Sequence, residues 1–593
     1  MKSKINQSGG SFLVQSFYGS SIYSREKFNQ EHLDIEQMIK DFSRKRIFPN
    51  KHKVDNYDKE LSLKLIQEAG ELGLLGIEVP EEYGGIDLDL TTSAINLEAI
   101  TYGYSFSFLA TFTVQSGIGL LPILWFGTKK QKEKYLYKLV SGEIIGAYGL
   151  TEPSAGSDAL SAKTKAVLSK DGKHYILNGE KIFITNGGWA DVFTVFAQVD
   201  GNKFSAFIVD RDTPGFEIGP EENKMGIKGS STTPLIFSNA KIPVSNLLYE
   251  VGKGATIAFN VLNLGRFKLG AAVIGGMKQT IDFVIKYALD RRQFGQSISK
   301  MDVIKGKLAQ MIIQTYTADS MIYRTIGLIQ EGVDTLDKSS KDYYLNLGKT
   351  MEEYAIESSM AKIYGSEAMS YVIDEGIQIM GGYGFTEEYP LAEVYRSDRI
   401  NRIWEGTNEI NRQIITGYMI KKTIMEDLPV RESIKKIEDF LDNESIHTKS
   451  DLLFKEKNAL DTGKNMALYL FHEALNKYGQ DLKHEQQLTE IFADIFLTIF
   501  TVESTIGRVE YGLESGKSNS IVLEIARVYT AQVSIELLGL LRISISSIHK
   551  GKHPESFMHY YKRFEERMTV ETDIIGLKKN IAEYAFSNKG YLF

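Results

Sequence analysis

Residues 400–416 of this chain read INRIWEGTNEINRQIIT, with Glu405 near the centre. Glu405 stands between a tryptophan and Gly406. An apolar neighbour raises the pKa of a carboxyl toward neutrality, where it can act as a general base, and a glycine lets a ligand approach the backbone. The alternative is a helix start capped by Thr407 or Asn408, where Glu405 only favours the helix N-terminus. This stretch alone leaves both interpretations open.

Composition excludes several classes of protein. The chain has 593 residues, of which 43% are hydrophobic and 24% charged, as is typical of a soluble globular protein with several domains. Its net charge of -7 offers no basic surface for nucleic acid. The absence of cysteine excludes disulfides, thiolate nucleophiles and cysteine-bound metal centres, and the histidines lack the paired spacings of zinc hydrolases. We therefore predict no metal site, and any redox chemistry would require a bound organic cofactor.

Apolar stretches bear on localisation. The clusters at residues 12–14 and 17–18 are too short for the core of a signal peptide. Residues 491–502 are interrupted by Asp494 and two threonines and fall short of the roughly 20 residues that span a membrane. We therefore expect a cytoplasmic protein in which residues 491–502 form a buried helix.

Hydrophobic periodicity divides the chain into regions. An N-terminal extension, residues 1–30, precedes a helical domain at 31–145. The period changes to two in a middle β domain at 146–250, helical spacing returns at 251–428, and a further helical extension covers 429–593. The predicted fold class is mostly α with an inserted β domain.

Two hairpins are expected in the β domain. Residues 175–184 contain the pair Asn178-Gly179, a strong signal for a two-residue turn between strands. Residues 192–199 and 204–209 alternate in the same way around Asp200-Gly201. We predict a turn at each of these pairs.

Two motifs supply small residues and hydroxyl groups, one where the helical domain joins the β domain and one at a strand end. Residues 148–158 read YGLTEPSAGSD and offer backbone N–H groups and hydroxyls to an anionic or electron-rich ligand. Residues 183–188, FITNGG, end a strand with Thr185 beside paired glycines, which allow a ligand to come close. The alternative for the first motif is an ordinary Pro-Gly turn.

Three further motifs lie in the helical region. Residues 262–266, LNLGR, are predicted to open a long helix and to place Arg266 near a phosphate or carboxylate, unless that arginine forms a surface salt bridge. Residues 291–295 read RRQFG, and residues 378–385 read QIMGGYGF. The glycines in the latter allow the backbone to pass close to a flat or bulky group, whereas a helix C-cap would need only one.

In this order and spacing the motifs resemble the acyl-CoA dehydrogenase family over about residues 30–425. The helical region after residue 430 is similar to that of the family's very-long-chain branch. The resemblance implies an N-terminal helical domain, a middle β domain and a C-terminal four-helix bundle, followed here by an additional helical domain. It also implies FAD, bound between the β domain and the bundle and across a subunit interface.

Matching motif positions imply the residues that bind cofactor and substrate. Those expected beside the flavin and its pyrophosphate are Tyr148, Leu150, Thr151, Ser157, Phe183, Ile184 and Thr185. Those expected to reach the FAD of a partner subunit or its adenylate end are Arg291, Phe294, Gln378, Ile379, Met380, Gly381, Gly382, Thr407, Asn408 and Glu409. Those expected to bind the acyl-CoA are Ser157, Asn263, Arg266 and Gly406.

The implied reaction is α,β-dehydrogenation of a fatty acyl-CoA to the trans-2-enoyl-CoA in fatty acid β-oxidation. Glu405 would remove the α-proton while FAD N5 accepts the β-hydride, and the Glu405 backbone N–H and the flavin ribityl 2′-hydroxyl would stabilise the thioester oxyanion. A minority of the family carries the base in a Leu-Asp-Leu-Glu-Arg segment, which here reads Leu-Asn-Leu-Gly-Arg with Gly265 at the rival position. We therefore expect Glu405 to be the sole base.

Substrate length and partners are also implied by the resemblance. Gly117 and Gly119 lie in the helix that closes the acyl chamber in the family, which favours long chains, although glycines there also serve helix packing. Electron-transfer flavoprotein is the expected electron acceptor. The extension favours a homodimer with at most peripheral membrane contact. The alternatives are an acyl-CoA oxidase that reduces oxygen, a non-catalytic acyl-binding or assembly protein, and an acyl-ACP or nitroalkane-type relative.

Overall fold

A computed structural model describes residues 7–443 and 447–593 of the chain. A β-sheet follows the first helical region and precedes two more, which confirms the predicted fold class. The α-helices are α1 (Gln30–Phe42), α2 (Lys51–Asp55), α3 (Lys59–Glu71), α4 (Leu90–Ile100), α5 (Phe106–Gln115), α6 (Leu121–Phe126), α7 (Lys129–Ser141), α8 (Gly254–Asp290), α9 (Asp302–Val333), α10 (Tyr343–Glu353), α11 (Ala355–Met380), α12 (Gly382–Phe385), α13 (Pro390–Asp398), α14 (Asn408–Ile424), α15 (Val430–Lys435), α16 (Ile437–Asp442), α17 (Phe454–Tyr478), α18 (Gln486–Glu514), α19 (Ile521–Ile548), α20 (Glu555–Met568) and α21 (Ile574–Asn588).

Five helices of the N-terminal region begin at side-chain caps. In α1, α3, α4, α5 and α7, the residue before the helix accepts a hydrogen bond from a backbone N–H of the first turn, which satisfies a donor that has no partner within the helix. These capping residues are Asn29, Asp58, Asp89, Ser105 and Thr128. Helix α4 is buried along its whole length because it packs between α1 and α8.

The middle region forms a sheet of eight strands in the order β6-β7-β3-β2-β4-β5-β8, with β1 paired parallel to β4. A separate two-stranded sheet follows α8. The strands are β1 (Gly146–Gly149), β2 (Lys165–Leu168), β3 (His174–Thr185), β4 (Val192–Val199), β5 (Lys203–Asp210), β6 (Phe216–Ile218), β7 (Thr232–Pro243), β8 (Leu247–Leu248), β9 (Arg292–Gln293) and β10 (Gln296–Ser297).

One predicted hairpin is confirmed and the other is wrong. Strands β4 and β5 pair antiparallel around Asp200-Gly201, as expected. At Asn178-Gly179, however, β3 continues without a turn, and its register against β7 shifts between Leu177 and Gly179. Gly179 has φ of 148° and lies so close to Thr164 that a side chain would not fit. The pair therefore forms a β-bulge, because β2 and β7 pair with β3 on either side.

Helices α8, α9, α11 and α14 pack together as the predicted C-terminal bundle. Helix α8 begins at Gly254, eight residues before the LNLGR motif. The prediction that this motif opens the helix is therefore wrong, and Arg266 lies about three turns inside α8. This position makes Arg266 part of the bundle interior rather than of a helix N-terminus.

The C-terminal extension shares its core with the bundle. Helix α18 packs on α9 and α14, and α21 packs on α9. Short turns at Ser11–Leu13, Gly19–Ser21 and Arg25–Lys27 cover α18 from the N-terminal side. Residues 491–502, predicted as a buried helix, lie within α18 and are largely buried.

A buried group of charges connects these layers. Arg25 forms ion pairs with Glu98 of α4 and Asp319 of α9. Asp319 also forms ion pairs with Lys278 of α8 at 2.5 Å and Arg508 of α18 at 3.6 Å.

Helices α8 and α19 are long and apolar enough to cross a membrane by length and composition, and the apolar part of α8 is mostly buried within the protein.

Candidate active site

The turn before α14 presents Glu405. Glu405 and Gly406 have φ of 57° and 80°, so two consecutive residues adopt the left-handed conformation, which is costly for a glutamate. The Asn411 side-chain amide donates to the carbonyl oxygens of Gly406 at 2.8 Å and Thr407 at 3.0 Å. Thr407 also caps α14, because its hydroxyl accepts from the Ile410 N–H at 3.3 Å. Side-chain hydrogen bonds from α14 therefore hold the backbone that carries Glu405.

The Glu405 side chain points at the bundle. A Cβ atom placed on Gly265 of α8 would lie 2.6 Å from Oε2 of Glu405. That oxygen is inaccessible to solvent and has no hydrogen-bond partner among residues 7–443 and 447–593. Burial raises the pKa of Glu405 to about 7, although the positive charges of Arg266 and Lys362 act in the opposite direction. The carboxyl is therefore close to half-ionised at neutral pH, as a general base requires.

Asn263 and Arg266 lie beneath the Glu405 turn. Arg266 donates to Oδ1 of Asn263 at 2.5 Å and to the carbonyl oxygen of Glu405 at 3.4 Å. Both residues are buried, and burial lowers the pKa of Arg266. The contact of these two side chains with CoA stays a prediction, while in the structure they support the turn.

The motif at residues 148–158, which begins in β1, brings Tyr148 close to Glu405. Tyr148 is buried, and its hydroxyl has no hydrogen-bond partner in the part of the chain that the structure describes. Burial and the charge of Glu405 both raise the pKa of Tyr148. A buried ion pair of Lys181 with Glu152, at 2.7 Å, fixes the following loop to β3. The Thr151 carbonyl also accepts from the Ile182 N–H at 2.9 Å. Leu150 is buried behind these contacts, whereas Ser157 lies exposed at the far end of the loop.

The end of β3 presents an open surface. Phe183 has φ of 60° and leaves 61% of its surface exposed, while the next residue, Ile184, is buried. Thr185 pairs with Thr232 of β7 at the last position of the strand. The left-handed Phe183 therefore turns an aromatic ring outward where an ordinary strand would alternate into the sheet.

The other predicted cofactor positions lie at the opposite end of α8. The Arg291 guanidinium lies 5.4 Å from the centre of the Tyr383 ring, and Phe294 is 92% exposed. Gln378, Gly381 and Gly382 are exposed, whereas Ile379 and Met380 are buried. Arg291 is 26 residues beyond Gly265, or roughly 39 Å along the helix. These positions therefore do not lie beside Glu405 of the same chain.

Asn408 and Glu409, at the start of α14, differ in their exposure to solvent. Glu409 is exposed on the first turn of α14. Asn408 is buried, and its Oδ1 accepts from Nζ of Lys362 at 2.6 Å. Sequence reasoning missed Lys362, for which the only signal is a lysine within an otherwise apolar part of α11.

The residues present are compatible with FAD. In the β domain, a tyrosine hydroxyl with no hydrogen-bond partner among the described residues and an exposed aromatic side chain at a strand end are suited to a large ring system with polar edges. At the other end of α8, two glycines that face open space belong to the second predicted cofactor surface. These features belong to Tyr148, Phe183, Gly381 and Gly382.

The glycines of the predicted acyl chamber are packing positions. A Cβ atom on Gly119 would lie 3.1 Å from the carbonyl carbon of Gly146 on β1, and one on Gly117 would lie 2.6 Å from the carbonyl oxygen of Thr113. Both glycines lie in the turn between α5 and α6, so the expectation that they belong to a helix is wrong. Close packing on the backbone of α5 and β1 accounts for Gly117 and Gly119, and these residues carry no argument about substrate length.

Family models match four parts of the chain. Those described as the N-terminal, middle and C-terminal domains of acyl-CoA dehydrogenase match residues 29–143, 147–240 and 252–419. Another, described as acyl-CoA dehydrogenase, C-terminal domain, matches residues 462–563 within the extension.

Individual relatives agree with these matches. A probable acyl-CoA dehydrogenase of Bacillus subtilis (strain 168) is 42% identical over 92% of this chain and 94% of its own length. The very long-chain specific acyl-CoA dehydrogenase, mitochondrial, of Homo sapiens is 41% identical over 61% of this chain and 54% of its own length. A crystal structure of acyl-CoA dehydrogenase complexed with FAD from Bacillus anthracis superposes with a TM-score of 0.95 at 39% identity, covering 99% of this chain and 100% of that one.

Proposed function

The chain belongs to the acyl-CoA dehydrogenase family of FAD-dependent oxidoreductases, and from this we propose that it oxidises long-chain fatty acyl-CoA to trans-2-enoyl-CoA with Glu405 as the base. The observation that carries the proposal is the position of the Glu405 carboxyl, which is buried against Gly265 with Oε2 free of any hydrogen-bond partner in the described ranges. A free oxygen in a water-poor site is available to a substrate proton. Gly265 also means that no second carboxylate stands at the rival position on α8.

Each group of the turn has a separate role. Glu405 accepts the proton from the substrate α-carbon, and its pKa of about 7 allows transfer near neutral pH. The Glu405 backbone N–H has no acceptor within residues 7–443 and 447–593, so it is free to donate to the thioester oxygen as negative charge develops there. Gly406 adds no side chain on the approach to this N–H. FAD, when bound, supplies the acceptor for the β-hydride.

The supporting contacts hold the base in its reactive position. Asn411 fixes the carbonyls that follow Glu405, and Arg266 supports the Glu405 carbonyl from α8. Such positioning matters because a displacement of about 1 Å in a catalytic group can reduce the rate by about two orders of magnitude.

We also propose a homodimer in which each FAD contacts both chains, with electron-transfer flavoprotein as the electron acceptor. The roughly 39 Å between Gly265 and Arg291 along α8 supports the first point, because one chain carries the two predicted cofactor surfaces at opposite ends of that helix. The choice of acceptor rests on the family resemblance. The preference for long chains rests on the similarity to the very long-chain specific relatives.

The proposal is tested by adding acyl-CoA to the purified protein. We expect the flavin absorbance to bleach with palmitoyl-CoA and less readily with octanoyl-CoA, and we expect electrons to pass to a dye or electron-transfer flavoprotein with little hydrogen peroxide. Peroxide formation as fast as dye reduction would identify an oxidase instead. A flavin spectrum that does not respond to acyl-CoA of any chain length would contradict the proposal, and a faster response to octanoyl-CoA would reverse the chain-length preference alone.

A further inference from the structure

Lys362 of α11 is a buried lysine close to the Glu405 turn. The residue is fully inaccessible to solvent, and its Nζ donates to Oδ1 of Asn408 at 2.6 Å. Asn408 is the first residue of α14 and follows Glu405 by three positions. Burying an ammonium group is costly unless it has a polar or charged partner. Lys362 therefore requires an explanation beyond filling space in an apolar helix.

Charged and titratable groups from three elements face Glu405. Arg266 comes from α8, Lys362 from α11 and Tyr148 from β1. Lys362 in turn faces Glu405 and Arg266, together with Glu367 on its own helix and Glu409 on α14. Burial lowers the pKa of Lys362 to about 7, while the negative charge of Glu405 acts in the opposite direction. The lysine and the base therefore favour each other's charged forms.

Asn408 connects this lysine to a chain of polar contacts that runs outward. Its side-chain nitrogen donates to Oε1 of Glu367 at 2.9 Å and to the Ser366 hydroxyl at 3.1 Å. Arg412 binds both oxygens of Glu367, at 2.9 and 3.1 Å. The Arg412 Nε then donates to Oδ1 of Asp494 at 2.7 Å. Asp494 lies on α18, so the chain of contacts ends in the C-terminal extension.

We propose that Lys362 is a positioning residue for Glu405, and that the extension helix α18 maintains this arrangement through Asp494. The proposal rests on the proposed function, because it assumes that Glu405 is the base. Lys362 holds Asn408, and with it the start of α14, while its charge stabilises the carboxylate form of Glu405. The extension thereby contributes to the acidity of the active site without touching the substrate.

The main test is the pH dependence of kcat/KM in Lys362→Met. Removing a positive charge disfavours the Glu405 carboxylate, so the acid limb of the profile should move to higher pH by roughly 0.5 to 1 unit. Lys362→Arg keeps the charge and should leave the limb near its wild-type position. Asp494→Asn, which keeps the size of the side chain, should lower kcat by about three- to tenfold with little change in KM and move the limb in the same direction.

A matched control is another ion pair between the extension and the bundle. Nζ of Lys305 on α9 lies 2.7 Å from Oε1 of Glu583 on α21, and neither residue contacts the Glu405 turn within the described ranges. Glu583→Gln should leave both kcat and the pH profile unchanged. An acid limb that stays in place in Lys362→Met would overturn the role of the lysine, and a Glu583→Gln effect as large as that of Asp494→Asn would overturn the role of α18.

A second readout does not depend on turnover. Burial raises the pKa of Glu405 from an ordinary value of 4.5 to about 7 in the folded protein. Between these two pH values the carboxyl is ionised in the unfolded chain but protonated in the folded protein, so the free energy of unfolding falls as pH rises. The Tm of wild type should therefore fall relative to that of Glu405→Gln up to about pH 7 and then level off. In a Lys362→Met background the levelling should occur at higher pH. If wild type failed to oxidise acyl-CoA, the proposed function would fail while this measurement still tested the lysine.

Discussion

Gly265 and Glu405 fit together so closely that a Cβ atom on the glycine would stand 2.6 Å from the carboxyl oxygen Oε2. The Glu405 carboxyl occupies the space that a side chain at position 265 of α8 would fill. The absence of a side chain at Gly265 is therefore a condition for the buried position of the Glu405 carboxyl, the proposed base.

Gly265→Ala should reduce activity without reducing stability. The alanine methyl group would displace the end of the Glu405 side chain by a fraction of an ångström or more, and we expect kcat to fall by about 100-fold. Alanine is favoured over glycine in a helix by about 1 kcal/mol, so the free energy of unfolding should stay within about 1 kcal/mol of wild type. Steady-state kinetics and urea unfolding measure the two effects.

Gly306→Ala is the control for that prediction. Gly306 lies in α9, and no described atom outside the backbone of that helix stands within 4 Å of an added Cβ. This variant should therefore gain helix stability and keep full activity. Equal loss of activity in both variants would contradict the steric explanation.

The activity of wild type should rise with pH through about 7. Only the carboxylate form of Glu405 accepts a proton, and burial raises its pKa to about 7, so kcat/KM should fall tenfold for each pH unit below that value. Glu405→Gln should retain FAD and lose turnover. If the acid limb of the kcat/KM profile lies near pH 4.5, the Glu405 carboxyl is not buried in solution. Near-normal turnover of Glu405→Gln would refute its role as the base.

Arg25→Met should destabilise the protein, because Arg25 bonds carboxylates of α4 and α9 from the N-terminal segment. We expect a loss of about 3 kcal/mol in the free energy of unfolding. Burial alone would raise the pKa of Asp319, but Arg25, Lys278 and Arg508 hold it below its usual range. The stability from this group is therefore present above about pH 4, the ordinary value of an aspartate, and is lost as pH falls below it.

The exposed pair Arg431–Glu426, at 3.5 Å, serves for comparison. Arg431→Met should cost less than about 1 kcal/mol, because water screens the charges of an exposed pair. Urea unfolding at pH 7 compares the two arginine variants. A loss of unfolding free energy as large as that of Arg25→Met would mean that burial does not decide how much an ion pair stabilises this protein.

Gly179→Ala should disrupt the β-bulge in β3. The added Cβ would lie 2.5 Å from the Thr164 hydroxyl oxygen and 2.7 Å from the Thr164 Cα, and φ of 148° disfavours any side chain. We expect a loss of about 2 to 4 kcal/mol in the free energy of unfolding. Gly172→Ala, at φ of 67° with free space around it, should cost only about 1 kcal/mol. Thermal unfolding of both variants separates steric overlap from backbone strain.

Local patterns predicted much of the fold. The change of period near residue 146, the hairpin at Asp200-Gly201 and the long helices of the bundle all follow from interactions between residues close in sequence. The turn at Asn178-Gly179 was predicted by the same reasoning and is wrong, because strands on both sides of β3 extend it through this pair. Tertiary pairing overrode a local preference for a turn.

By itself, the sequence limited the choice of the proposed base, since a carboxylate is present at Glu405 and absent at Gly265, the position that carries the base in a minority of the family that the chain resembles. Only the tertiary structure decided that the Glu405 carboxyl is buried, that Gly265 makes room for it and that Lys362 faces it. The physical reason is that solvent exclusion and charge interactions depend on distance in space, and these residues come from helices far apart in the chain.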